Sequence, residues 1–384
     1  MTTDTDQFKE IRPYYDHEAH TVINRIINHP ELIEAICKFR FPQIHKPLGF
    51  LLRPLIRRKL QSQFANIDNV HDFQMQVASY MARMIKNSTS GFTVSGLDQL
   101  DPEQSYLFVA NHRDIAMDPA FVNYALYLNQ SSTVRIAIGD NLLQKPYVSD
   151  LMRLNKSFIV NRSAKGIREM MKALTELSSY INHSILEEHH SVWIAQKEGR
   201  AKDGIDATDP AIIKMFYMSR KKKKDGPAFS DVMNELNIVP VSISYEYDPC
   251  DEQKARELHA VATEGEYNKA EFEDIRSIVN GISGFKGKVH VHFGHPLKGE
   301  LSDAETVAEK IDQSIMDHYQ LYDSNWLALE MLEGYDHISG KPQISDTSRQ
   351  VFTDRINSYA EEYRPYVLRM YANPILNSRR LLAS

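Results

Sequence analysis

The chain reads as an α/β protein: a mixed, mostly parallel sheet flanked by helices, with helical extensions at both ends. Three observations carry that reading. From about residue 91 to residue 293, short strand-like runs alternate with helical stretches, as expected of a sheet covered on both faces. The run Tyr106-Leu-Phe-Val-Ala110 is apolar without alternation, the mark of a strand buried on both sides. Outside this zone the apolar residues return to a helical period.

The 384 residues are 42% hydrophobic and 25% charged, enough for a large core in one domain with appendages or in two to three units. A net charge of −6 argues against a general nucleic-acid binder. The two cysteines, Cys37 and Cys250, supply neither a disulfide framework nor a cysteine zinc site, which fits a reducing, cytoplasmic setting. The polar, acidic N-terminus does not read as a signal peptide. No apolar run approaches the ~18 residues that span a bilayer, so membrane contact is expected to be peripheral.

Residues 1–88 read as an N-terminal helical region. Val22, Ile23, Ile26 and Ile27, then Leu32, Ile33, Ile36 and Phe39, keep a helical period with breaks near Pro30 and Pro42. Residues 47–60 mix large apolar side chains with Arg53, Arg57, Arg58 and Lys59. That mixture suits the plane of an anionic membrane, or equally a packed helix whose cations face water. Residues 71–86 form a further amphipathic helix whose methionines read as core filler.

Residues 89–300 read as the α/β domain. Its strands are expected at 92–97, 105–111, 134–139, 158–161, 192–196, 238–245 and 289–293, with helices at 119–128, 164–182 and 210–220. Residues 301–384 return to helix, at 304–319, 325–331 and 347–363. The basic run from Arg220 to Lys224 reads as a solvated cluster at a helix C-terminus, with a membrane-facing loop as the other reading.

The run Asn111-His112-Arg113-Asp114 leaves the carboxyl end of the second strand, where open α/β sheets place their ligands. Pro119 suits a first helical position and Asp118 its N-cap. A histidine with a carboxylate nearby is the minimal general-base arrangement, the carboxylate fixing the imidazole tautomer and stabilising the imidazolium.

Asn111-His112-Arg113 followed by an aspartate resembles the first signature block of the glycerolipid acyltransferases, the glycerol-3-phosphate and 1-acylglycerol-3-phosphate enzymes. That family usually places four residues between His and Asp. Here five separate His112 from Asp118, and Asp114 is the competing carboxylate. Pro119 disfavours helix at Asp118, and a loop absorbs one extra residue, which favours Asp118.

Three more blocks follow in order. Lys156–Arg162 resembles the second block, in which a strand ends in a cation; Arg162 would grip the acceptor phosphate through its guanidinium fork. Glu198-Gly199-Arg200 resembles the third, without the family's usual Pro or Phe before and Thr after. Arg200 would add a second cation, Glu198 would bind an acceptor hydroxyl or order the arginines, and Gly199 would let the backbone come close. Arg113 and Asp114 are expected to line the same acceptor site. Val239-Pro-Val-Ser-Ile243 resembles the fourth block, and Lys288–Leu297 the strand and turn that close the domain. His290, His292 and His295 in that closing stretch are read first as solvent-facing, with no metal centre; a metal cluster, and with it a metal hydrolase, is the third reading.

The resemblance covers roughly residues 90–300. It implies acyl transfer from acyl-CoA or acyl carrier protein, as co-substrate and with no cofactor, to a hydroxyl of a glycerophospholipid acceptor at a membrane surface. The acceptor expected first is 1-acyl-sn-glycerol 3-phosphate, with glycerol 3-phosphate, another lysolipid, or binding without catalysis as alternatives. The chain has no Gly-x-Ser-x-Gly elbow, so direct attack assisted by His112 is expected rather than an acyl-enzyme.

Overall fold

Seven strand-forming stretches become strands at or within two or three residues of the expected places. The computed structural model describes residues 6–221, 226–333 and 341–383. The N-terminal helices are α1 (Asp16–Ile27), α2 (Pro30–Arg40), α3 (His45–Phe64) and α4 (Val70–Ser88). Then come β1 (Gly91–Ser95), β2 (Leu107–Ala110), α5 (Met117–Leu128), β3 (Arg135–Gly139), α6 (Pro146–Leu154), β4 (Ser157–Val160) and α7 (Ile167–Leu186). They are followed by β5 (Val192–Ala195), α8 (Pro210–Tyr217), α9 (Phe229–Glu235), β6 (Ile238–Tyr245), α10 (Asp251–Glu264), α11 (Glu273–Ser283) and β7 (Lys288–Phe293). The chain closes with α12 (Ala304–Asp317), α13 (Asp323–Glu333), α14 (Asp346–Asn357) and α15 (Arg364–Ala383). Lys222–Lys224 of the basic run lie outside the described residues.

The chain divides into two compact units, residues 1–80 with 135–173, and residues 81–134 with 174–384. This differs from the linear division into 1–88, 89–300 and 301–384. In the smaller unit the N-terminal helices pack on the β3–β4 region instead of standing alone. Val22, Ile23, Ile26 and Phe73 share a core with Leu154 of α6, Arg25 pairs with Asp150 at 2.6 Å, and β3 runs parallel to β4. Long-range pairing of this kind leaves no local mark in a sequence. Helix α3 buries Ile56 but exposes Phe50, Leu51 and Leu55.

In the larger unit the strand order is β1-β7-β6-β2-β5. β1 is parallel to β7, β2 lies parallel between β6 and β5, and the β6–β7 pair alone is antiparallel. β2 and β6 are buried along their whole lengths, as their apolar composition requires. Pro240 sits inside β6, where a proline normally removes a ladder bond. It lies just past the last residue pairing with β7, Val241 opposite Phe293, and its carbonyl accepts from Gly294 N at 2.9 Å, so the missing N–H forfeits only the reciprocal bond at the end of that ladder. Helices α13, α14 and α15 close a core of their own with Tyr247 and with Ala255 of α10. They are thus part of this unit rather than an appendage. Among the described residues, no helix is long and apolar enough to cross a membrane.

Candidate active site

β2 ends at Ala110, and the next residue locks the strand end in place. Asn111 is fully buried; its amide donates to Ile243 O at 3.0 Å and accepts from Ile243 N at 2.7 Å, tying the loop to β6. His112 follows with its imidazole edge against Trp193, 6.0 Å between ring centres, and its carbonyl accepts from Ala201 N at 2.8 Å. The loops after β2 and β5 are therefore joined at the histidine itself.

His112 Nδ1 lies 2.8 Å from Asp118 Oδ2. The same oxygen accepts from Arg113 N at 2.6 Å and Asp114 N at 2.9 Å, and Oδ1 accepts from the Tyr245 hydroxyl at 2.6 Å. Asp118 is completely buried. A carboxylate surrounded by donors is an acceptor only, so the proton of this contact belongs to Nδ1 and the lone pair to Nε2. The imidazole keeps 14% of its surface open to solvent. The tautomer of this imidazole is fixed.

The structure decides between the two aspartates and moves the helix start. α5 begins at Met117 with Ala116 as N-cap, so Asp118 is the second helical residue and not the cap. Asp114 does the capping: its Oδ1 accepts from Ala116 N at 3.0 Å and Met117 N at 2.8 Å. Pro119 still falls in the first turn, where a helix loses no bond for lack of an N–H. Among the described residues Asp114 Oδ2, which is buried, has no hydrogen-bond partner, and burial together with the charge of Asp118 pushes its carboxyl up to about 6. Gly281 of α11 makes room for it, since a Cβ there would sit 2.2 Å from Asp114 Oδ2.

Arg113 and Asp114, expected to line the acceptor site, are both buried. The Arg113 guanidinium turns into the protein, 2.6 Å from Asp206 Oδ2 and over the Tyr319 ring at 5.5 Å. An arginine beside the histidine thus braces the loop that follows β5. Behind it Lys254 of α10, fully buried, donates to Arg113 O at 2.7 Å and pairs with Asp248. Burial works against the Asp248 charge, but the Lys254 ammonium holds its carboxyl below the usual range.

From the third block, Arg200 stands in the loop whose next residue hydrogen-bonds His112. Among the described residues its buried Nη1 has no hydrogen-bond partner, and its Nη2 reaches Ser277 Oγ at 3.5 Å. A buried guanidinium edge left unpaired is an anion site in chemical terms. Glu198 and Gly199 are exposed on the same loop, and Gly199 adopts φ +78°, which a side chain would strain. Arg162 belongs to the smaller unit, exposed after β4. Its backbone N donates to Asp140 Oδ1 at 3.1 Å, and its side chain lies over Gly139, where a Cβ would meet Nε at 3.0 Å. The structure thus brings together His112, Asp118 and the loop of Arg200 within one unit.

Tyr245, Asp206, Asp248 and Lys254 escaped the sequence reading. A tyrosine closing an apolar strand was the one local signal for Tyr245. The histidines near the end of the domain form a separate group. Ser95 Oγ bridges His290 Nε2 at 2.9 Å and His292 Nδ1 at 2.8 Å, and His292 stacks on His318 at 4.0 Å. Among the described residues, no three His, Cys, Asp or Glu side chains are placed to hold a metal. Both cysteines are buried, and burial with the charges of Asp248 and Asp114 raises the Cys250 thiol to about 12, which leaves it unreactive.

Residues 91–244 match the family model described as Acyltransferase. This stretch of the chain runs from β1 through β6, with the His112 loop inside it, and contains the four sequence blocks. Among solved structures the chain is similar to the 1-acyl-sn-glycerophosphate (LPA) acyltransferase PlsC from Thermotoga maritima, at 14% identity over 75% of this chain and 97% of that one, with a TM-score of 0.33. No curated relative matches the chain.

Proposed function

We propose that the protein moves a fatty acyl group from acyl-CoA or acyl carrier protein to a hydroxyl of a glycerophosphate acceptor, 1-acyl-sn-glycerol 3-phosphate first among them, in phospholipid biosynthesis. The observation that carries this reading is the pair of His112 Nδ1 and the buried Asp118 at 2.8 Å, in a loop at the carboxyl end of β2. His112 Nε2 takes the hydroxyl proton as the acceptor oxygen attacks the thioester carbonyl. The tetrahedral intermediate then expels the thiolate, the C–S bond breaks, and the imidazolium returns its proton to sulfur. Asp118 stabilises the imidazolium while it lasts.

Arg200 supports a phosphorylated acceptor, because a phosphate oxygen would meet the unpaired Nη1. Arg162, Glu198 and Gly199 complete the proposed acceptor contacts on the strength of their blocks. Helix α3 supports peripheral contact with the cytoplasmic face of a membrane. It exposes Phe50, Leu51 and Leu55 beside Arg57, Arg58 and Lys59, the composition of an interfacial helix on anionic lipid. The decisive experiment incubates the purified protein with labelled acyl-CoA and lysophosphatidate, glycerol 3-phosphate or a phosphate-free monoacylglycerol, then identifies products by mass spectrometry. Acylation of lysophosphatidate above the others is the expected result. Transfer to none of them, from acyl-CoA or from acyl carrier protein, overturns the reading.

A further inference from the structure

We propose that Tyr245 is a positioning residue for the His112–Asp118 pair, fixing the plane of the carboxylate through the one oxygen that neither the imidazole nor the backbone reaches. The proposal rests on the reading of His112 as the general base. Three donors converge on Asp118 Oδ2: His112 Nδ1, Arg113 N and Asp114 N. Turning about the soft terminal torsion moves both oxygens, and these three bonds resist it at Oδ2 alone. The Tyr245 hydroxyl, 2.6 Å from Oδ1, holds the second oxygen and so sets the plane from both sides.

The tyrosine is itself held. It is the last residue of β6, it is 5% exposed, and its ring packs edge-on against Phe121 with centres 5.9 Å apart. Phe121 stands three residues after Asp118, on the same face of α5. One side chain thus takes its bearing from a buried strand and passes it to the carboxylate of a neighbouring helix. Burial, then the charges of Asp118 and Asp114, raise the phenol far above its ordinary range, so it stays a donor at every working pH. The other charged and titratable groups facing the pair are Arg113 and Asp114 on its own loop, Asp206 after β5, Asp248 after β6 and Tyr319 after α12. The substitutions below leave all of them in place.

The test uses the full chain. Tyr245→Phe removes the hydroxyl alone. We expect kcat to fall roughly 10- to 100-fold with KM nearly unchanged. Loss of a donor concentrates charge on Asp118 and favours the imidazolium, so the acid limb of kcat/KM moves to higher pH, by up to about one unit. A merely structural tyrosine would lower the melting temperature and leave kcat per folded molecule and the pH profile alone, and that result overturns the proposal. Where the phenylalanine variant does not fold, 3-fluorotyrosine at position 245 keeps the shape and sharpens the donor. The acid limb should then move to lower pH; no movement, or movement upward, overturns the proposal. The low-field proton resonance of His112 Nδ1–H reads the same bond without turnover. It should shift in either variant even if His112→Ala were found to spare acyl transfer, so the two ideas fail separately. A resonance unmoved in both variants overturns the positioning role.

Discussion

His112 and His292 stand in the same unit, each half-buried, each with Nδ1 at 2.8 Å from an oxygen. For His112 the oxygen belongs to a buried carboxylate, and for His292 to a serine that also serves His290. The second setting cannot take a charge easily. Burial, then the nearby imidazoles of His318, His290 and His295, lower His292 to about 4. The first gives a nascent imidazolium an anion to face. On the proposed reading, the partner more than the imidazole separates a base from a packing piece.

Substitution at the two histidines should show this most sharply. His112→Ala should cut acyl transfer by roughly 10³- to 10⁴-fold with the melting temperature nearly kept, the range expected when a positioned general base is lost. His292→Ala should leave kcat within a few-fold. If both variants lost activity equally, the distinction would collapse. Asp118→Asn tests the partner itself. An amide can donate to Nδ1 and stabilise the wrong tautomer, so kcat should fall roughly 10²- to 10⁴-fold, with the acceptor KM unchanged. A variant limited by KM would point to a binding role for Asp118.

Next in size come the arginines of the two joined loops. Arg113→Met leaves Asp206 buried beside a vacated ion pair that spans 2.6 Å. Removing one partner of such a pair costs about 3–5 kcal/mol, to be read by urea unfolding. Arg200→Ala should keep the fold and raise KM for a phosphorylated acceptor roughly tenfold, the loss of one charge-assisted contact. A phosphate-free acceptor should not notice the change. Equal losses on both acceptors would remove Arg200 from the phosphate site.

The same two arginines mark where the sequence stops being informative. Both sit inside a block that resembles a family signature, and both carry the same charge. Arg113 is committed inward because Asp206, 93 positions later, faces it, a pairing that no local pattern records. The strands were legible because apolar runs between turn residues have few other uses. The start of α5 was misplaced because Asp114 and Asp118 have identical capping chemistry, and only the folded loop decides which meets the helix N–H groups. Helix α10 went unread because its exposed face is charged and its apolar stripe thin, and α15 because Pro374 interrupts it. Tyr245 was hidden in plain sight, since an aromatic residue in a strand needs no second reason to be there.

The smallest effect concerns acid stability. His292 has a folded-state pKa near 4, below the ordinary value of 6.5. As pH falls below 6.5 the unfolded chain takes up the proton and the folded chain does not. The contribution is therefore complete above pH 6.5 and is lost as pH drops from there toward 4. Ser95 of β1, Asp98, His290, His295 and His318 face the ring, and Asp98 alone among them favours the charged form. His292→Asn removes the titration and keeps a hydrogen-bonding side chain toward Ser95. Urea unfolding at pH 7 and pH 4.5 should then show a smaller acid-induced loss in the variant than in the parent, by no more than about 1 kcal/mol because the ring is only partly buried. An identical loss in the two proteins would mean that solvent already relieves the crowding. The contrast with His112 would then rest on the carboxylate alone.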